Sequence, residues 1–503
     1  MNLALISKPK RKVAPAGALF IGLPLGRSVN GGKELWASLE DVGLVFAGPR
    51  TGKSTAYAVP FILAAQGPLL VTTNKNDLHH HTRAIREEMG RVFVADPECI
   101  ATTEDQGWRV ELLRDATTSR KANELADVFE ATAGDGVEAS VKSKGVDFFP
   151  QRAKALLAGL FLAASVSQGW TEKPHTYTGP KYFLRDITAW LAEPAAENPA
   201  PLEILDQTEF REVTAELVGI YSGDSPQERS GVFSTAQAFV KCLLDEQLMD
   251  WLNPRPGEED GDGRLIFDAR KFMEGNNTIY LLSTDDGPAK TLMTALTQSV
   301  IDEAQAKAKQ QPRGRLAVPM VCVLDEAANV CPWPRLPKLY SFFGSQGILV
   351  WTFLQSYSQG VRVWGEHGMK ALMEAANHRI YGGGNLPGPL LDLFSAAIGD
   401  YYYTTPGSPA SKGSPAGPRQ EHKDKIFDPS ELQALPRGRA ILLSSGNLSM
   451  LVRTVPWMAG PQKDAVEASV AKYDPKADQT LRAEMAEYKA SLSDPNMTVG
   501  TAV

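Results

Sequence analysis

Residues 44–73 read LVFAGPRTGKSTAYAVPFILAAQGPLLVTT, and the fold follows from how that stretch is read. An apolar run, Val42 to Phe46, leads into AGPRTGKS, Ala47 to Ser54. A helix-like run then extends to about residue 65, and a second apolar run covers 68–73. Strand, glycine-containing turn and helix in this order make an anion cradle. Small residues let backbone N–H groups converge, and the helix N-terminus carries partial positive charge. Lys53 is placed to reach phosphate oxygens and Ser54 to hold Mg²⁺. Ala47 stands where the pattern G-x-x-x-x-G-K-[ST] has its first glycine. Gly48 follows at once and is expected to supply the permissive turn, with Gly52 as the glycine of close approach. The candidate nucleotide-binding set is therefore Ala47, Gly48, Pro49, Arg50, Thr51, Gly52, Lys53, Ser54 and Thr55.

Outward from the cradle, VGLVFAG (42–48), PLLVTT (68–73) and RVFVADP (91–97) read as buried strands, with helices at about 53–65 and 79–89. That alternation predicts a parallel sheet with crossover helices. From about 106 to 265 the pattern is helical, as in 120–133, 150–166 and 236–252. Ser225, Pro226 and Glu228, after Asp224, signal a helix start with a capping box. GEEDGDG (257–263) reads as an exposed loop. A long helix at about 287–309 precedes a second set of strands: 277–284, 318–326, 347–355, 378–384 and 438–445. TTPGSPASKGSPAGPRQEHKDK (404–425) reads as a mobile loop. The expected organisation is an α/β P-loop NTPase domain with a mostly parallel sheet, interrupted by an all-α inserted domain. Residues 1–105 form its first part, 106–265 the insertion, 266–460 its second part, and 461–503 a charged, helical and then frayed C-terminal tail.

Two further elements belong with the cradle. MVCVLDEAAN (320–329) runs from apolar residues into Asp325 and Glu326. Adjacent carboxylates at the end of a buried strand are costly unless something uses them. Beside a phosphate cradle, Asp325 is expected to hold Mg²⁺ and Glu326 to polarise the attacking water. Gln355 ends the next apolar strand, where a polar side chain can sense a terminal phosphate. The plain alternatives are a solvated acidic loop and an ordinary strand-end Gln; company with the cradle argues against both. Lys53, Glu326 and Gln355 are the catalytic candidates, and ATP with Mg²⁺ the expected cofactors.

The bulk numbers set outer bounds. The 503 residues carry 43% hydrophobic and 22% charged side chains and a formal charge of −7, globular values that exclude a strongly basic nucleic-acid binder. Cys99, Cys242, Cys322 and Cys331 have no zinc-like spacing, and a reduced compartment is the simplest account. His79, His80 and His81 read as the solvent-facing start of a helix rather than a metal site. Lys8, Lys10, Arg11 and Lys12 are followed by no signal-like apolar run. The most apolar helix, Ala155 to Val166, is too short to span a bilayer.

The ordered set of motifs resembles the coupling proteins of conjugation and type IV secretion, the TraG/TraD kind, in an actinobacterial-like form, over roughly residues 17–458. GALFIGLPLGR before the cradle, VTTNKND (71–77), FFPQRAKALLAGLFLAA, QERSGVFSTAQAF, NHRIYGGGN and FDPSELQALPRGRAILLSSG all contribute. The most specific part is LDEAANVCPWPRLPKLYSFFGSQGILVWTFLQSYSQ (324–359). The chain departs in Thr73 and Asn74, in GSQGI (344–348) where relatives carry a basic residue, and in beginning almost at the first strand, without the family's transmembrane helices. The resemblance implies a RecA-like fold for the P-loop NTPase domain, and a hexameric ATPase that recruits DNA or a relaxase–DNA complex and moves it to a secretion channel. The implied partners are single- or double-stranded DNA, the relaxosome, and channel ATPases or inner-membrane components. The implied place is the cytoplasmic face of the membrane, reached through partners. A ring ATPase also calls for a trans-acting arginine, with Arg362 and Arg379 as candidates. A nucleotide-gated recruiting protein, or a packaging or segregation motor, are the competing expectations.

Overall fold

The structure is a computed structural model that describes residues 22–492 apart from 102–106, 134–147, 172, 194–198, 224, 260, 387 and 408–416. The basic residues at 8–12, the beginning of the family-like segment at 17–21, Asp224, the centre of the 404–425 segment and the end of the tail lie outside the described residues.

The strands, in chain order, are β1 (Leu23–Ser28), β2 (Glu34–Ala37), β3 (Gly43–Phe46), β4 (Leu69–Thr73), β5 (Val92–Ala95), β6 (Trp108–Arg109), β7 (Leu265–Ile266), β8 (Thr278–Leu282), β9 (Met320–Leu324), β10 (Ile348–Leu354), β11 (His378–Tyr381), β12 (Asp400–Gly407), β13 (Gly417–Lys425), β14 (Arg439–Ser444) and β15 (Met450–Arg453). Among the described residues, eleven of them form one sheet, in the order β2-β1-β15-β14-β11-β3-β10-β9-β4-β8-β5. From β11 to β5 all neighbours are parallel, and β14, β15, β1 and β2 add an antiparallel edge. β4, β8, β9 and β10 are buried along their whole length, as expected where helices cover both faces of a parallel sheet. The fit is tight at Gly43, where a Cβ would collide with the ring of the fully buried Trp351 on the neighbouring strand. Glycine at the start of β3 thus makes room for the largest side chain of β10.

Between β6 and β7 the chain is mainly helical, and those two short strands pair in parallel, so the beginning and end of the helical segment lie side by side. Its centre is the helix Phe148–Ser167, buried over Leu156–Ser165. Apolarity all round a helix means burial by its neighbours, here the helices Ser119–Thr132 and Pro226–Phe239. No helix among the described residues is long and apolar enough to cross a membrane. Ser225 Oγ caps the helix that follows it, accepting from Glu228 N at 3.3 Å with Pro226 in the first turn.

Several expectations fail for identifiable reasons. The pattern at 236–252 is two helices, Pro226–Phe239 and Glu246–Leu252, separated by a 3₁₀ turn, with Asp245 capping the second. The 404–425 segment is not a mobile loop where it is described: β12 and β13 pair as an antiparallel hairpin. The Gly/Pro/Ser-rich residues hid it, because the strand-forming residues (Tyr401–Thr405 and 419–425) flank them. The 257–263 segment is exposed at 257–259, 261 and 263, as expected, although the Asp262 side chain is covered and paired with Arg264 and Arg109. The three histidines are buried rather than solvent-facing. They lie on the helix Asp77–Glu87, which is covered by the helix Lys463–Tyr473 of the C-terminal segment. Ser469 Oγ donates to His80 O (2.7 Å) and accepts from Ala84 N (3.1 Å), while Glu484 bonds His81 Nε2 at 2.9 Å. A partner distant in sequence covers this face, so local polarity misleads.

Candidate functional site

Strand register brings the separated motifs together. Phe46 lies opposite both Leu354 and Tyr381, and Leu324 lies opposite Thr352 and Thr72. The next residues of each strand therefore converge on one edge: the cradle after β3, Asp325 and Glu326 after β9, Gln355 after β10 and Gly382 after β11. This is the carboxyl edge of a parallel sheet, where α/β folds bind ligands.

The cradle has the geometry of an anion site. Gly52 takes φ +88° and Arg50 φ +60°. The N–H groups of Thr51, Gly52 and Lys53 make no hydrogen bond among the described residues. Such unused donors at the start of a helical turn, here Ser54–Ala58, suit phosphate oxygens. The permissive turn expected at Gly48 is made at Gly52 instead. Gly52 carries the left-handed conformation. Gly48 is the close-packed one, donating its N–H to Gly383 O (2.9 Å) where a Cβ would strike Gly384 O.

Lys53 Nζ donates to Glu326 Oε1 and lies 3.3 Å from Asp325 Oδ1. Burial alone would lower the ammonium's pKa, but the two carboxylates outweigh it and hold it above its ordinary value. Asp325 is buried, and that burial raises its carboxyl well above the usual range, against the pull of Lys53. Its backbone is fixed to β4, with Asp325 N donating to Thr72 O (3.2 Å) and Thr72 Oγ1 to Asp325 O (3.0 Å). Glu326 has φ +50° and ψ +42°, a left-handed turn that is strained for a residue with a side chain. The turn starts the short helix Ala327–Val330 and leaves the carboxylate on Lys53. Gln355 Nε2 donates to the same Glu326 Oε1 at 2.9 Å. Thus Lys53, Asp325, Glu326 and Gln355 form one contact group.

The donor set also fits a divalent ion. Asp325 Oδ1 is buried and accepts no hydrogen bond, and Ser54 Oγ makes none among the described residues. One hydroxyl and one carboxylate are the protein's usual share of an Mg²⁺ shell that is otherwise phosphate and water.

A family profile described as the TraM recognition site of TraD and TraG matches residues 319–437, which include the acidic pair and Gln355. The type IV secretion system-coupling protein VirD4 of Bartonella quintana (strain Toulouse) is 23% identical over 345 residues, 67% of this chain and 50% of that protein. The bacterial conjugative coupling protein TrwBdeltaN70, unbound, superposes with a TM-score of 0.57 at 16% identity, covering 83% of this chain and 85% of its own. The chain is similar to the type IV secretion coupling proteins. The plasmid coupling protein TrwB in complex with the non-hydrolysable analogue ADPNP matches with a TM-score of 0.55 at 16% identity, over 83% of this chain and 86% of that one. TrwB with ADP and Mg²⁺ gives 0.55 at 14% over the same shares. These structures show the RecA-like P-loop NTPase fold. The chain spans about half the length of the curated coupling protein it matches.

Within this coupling-protein fold the two arginine candidates separate. Arg379 Nε donates to Met373 O and an Nη to Glu374 O (3.2 Å), closing the C-terminal end of the helix Tyr357–Ala375. That guanidinium is occupied within its own chain. Arg362 is exposed on the same helix. Sequence reading missed the turn Gly382–Asn385. Its three glycines after a strand were the available signal, since Gly383 (φ +87°) and Gly384 (φ +82°) both need the left-handed region.

Proposed function

We propose that the chain is an ATP-hydrolysing coupling protein that draws DNA, or a relaxase–DNA complex, toward a type IV secretion channel. The observation that carries this is the joint contact of Lys53, Asp325, Glu326 and Gln355 beside unused backbone N–H groups, in a chain of coupling-protein fold. That TrwB, which is similar in fold, is found in complex with ADPNP and with ADP and Mg²⁺ supports a nucleotide-binding role.

The mechanism starts from the Lys53–Glu326 pair. The backbone N–H groups of Thr51, Gly52 and Lys53 bind phosphate oxygens, and the Lys53 ammonium, held charged, leaves Glu326 for the β and γ phosphates. Freed of that pair, the Glu326 carboxylate takes the proton of the attacking water, while Gln355 fixes its Oε1. Ser54 and Asp325 would hold Mg²⁺, which would neutralise charge on the phosphates. A hexameric ring would place Arg362 as the trans-acting arginine rather than Arg379. DNA would pass through the ring on backbone charge alone. The domain division at 105, 265 and 460 assigns partner contacts to the helical segment.

The test is ATP turnover by the purified chain with and without single-stranded DNA. DNA-stimulated turnover that Lys53→Ala abolishes is the expected result. An assembled protein that binds ATP but never turns it over with any DNA would show a recruiting protein instead.

A further inference from the structure

Resting on the nucleotide reading above, we infer that Asn385 is a positioning residue, through which the turn after β11 holds Gln355 in register with the phosphate loop. The turn touches both halves of the site. Gly383 O accepts from Gly48 N at 2.9 Å, and Gly384 packs so closely on Gly48 and Thr51 that no side chain fits there. One residue on, Asn385 Nδ2 donates to Gln355 O at 2.6 Å. Gln355 in turn donates from its side chain to Glu326 Oε1. A shift of the first cradle residues on binding a terminal phosphate is thereby passed to the backbone of Gln355, and so to the carboxylate that Gln355 orients.

Stability alone does not account for this amide. Asn385 Oδ1 is buried without a hydrogen-bond partner among the described residues, and an orphaned buried acceptor destabilises a fold. An apolar side chain of the same shape would fill the place at less cost. The polar group earns its position through its one bond, to the strand end that carries the sensor.

The test measures affinities of the full chain for Mg²⁺–ADP and for a non-hydrolysable Mg²⁺–ATP analogue, by competition with a fluorescent nucleotide. Asn385→Leu keeps the shape and removes the donor. It is expected to weaken the ATP analogue about fivefold, as loss of one orienting hydrogen bond does, with ADP affinity within about twofold of wild type. In a Gln355→Ala background the same substitution is expected to change the ratio of the two affinities no further, because Asn385 acts through Gln355. Equal weakening of both nucleotides, no change in either, or a full additional loss in the Gln355→Ala background would each overturn the inference. If the wild-type chain binds neither nucleotide, the nucleotide reading itself falls, a result distinct from those three.

Discussion

Replacing Lys53 by Met removes the ammonium and keeps most of the side-chain length. The perturbation leaves the carboxylates of Asp325 and Glu326, each 5% exposed, without their counter-charge. Removing one partner of a buried ion pair costs about 3–5 kcal/mol. The protein can escape part of that by taking up a proton. Holding a carboxyl protonated at pH 7, when its ordinary value is about 3.9, costs about 4 kcal/mol, so the two figures agree. Relief of the ammonium's own desolvation returns some of this, and a loss of about 3 kcal/mol at pH 7 is expected. The proton becomes easier to supply as pH falls, by about 1.4 kcal/mol per unit, so the loss shrinks by about 2 kcal/mol at pH 5.5. Urea denaturation of wild type and Lys53→Met at both pH values, with Mg²⁺ chelated, measures the difference. A destabilisation that is the same at both pH values, or below about 1 kcal/mol at pH 7, would refute the argument that Lys53 neutralises a buried acidic pair.

Gly48→Ala forces a methyl against Gly384 O and is expected to cost about 1–3 kcal/mol with at least tenfold weaker nucleotide binding, whereas Gly219→Ala, in an open helical position, gains about 0.5–1 kcal/mol; thermal unfolding and titration check both. His79 is buried and held down to about pKa 3 by that burial, so below about 6.5 the unfolded chain takes up a proton that the folded chain refuses. Wild type should therefore lose about 1.4 kcal/mol more than His79→Gln between pH 7.5 and 5.5, measured by denaturation. His81 shows the opposite sign. Burial would lower it, but the bond and charge of Glu484 raise it above its ordinary value. The stability from that pair is full below about pH 6.5 and fades as pH rises through the raised value. Glu484→Ala is expected to cost about 1 kcal/mol at pH 6, and less at pH 8.5 in the same assay.

Much of the architecture was legible because its signals are local. β3, β4, β9 and β10 are short, fully buried runs with turn chemistry at their ends, and a parallel sheet needs that pattern. Asp325 and Glu326 were legible because two carboxylates do not end a buried strand without cause. The roles of Gly48 and Gly52 were not, since one depends on Gly384, far along the chain, and the other on a backbone angle. The burial of His79–His81 escaped for a similar reason: Ser469 and Glu484, which cover them, lie in a segment that reads as a charged tail. The β12–β13 hairpin was masked by the composition of the residues it encloses. Asn385 was visible only as the end of the stretch NHRIYGGGN, and its contact was not, because that is a bond to the end of a strand two places away in the sheet.

Glu326→Gln tests the central claim most directly, because it keeps the shape of the site and removes only the base. With single-stranded DNA present, the variant is expected to bind ATP and Mg²⁺ as tightly as wild type while its turnover falls by about 10²–10⁴. Turnover at the wild-type rate would contradict the account.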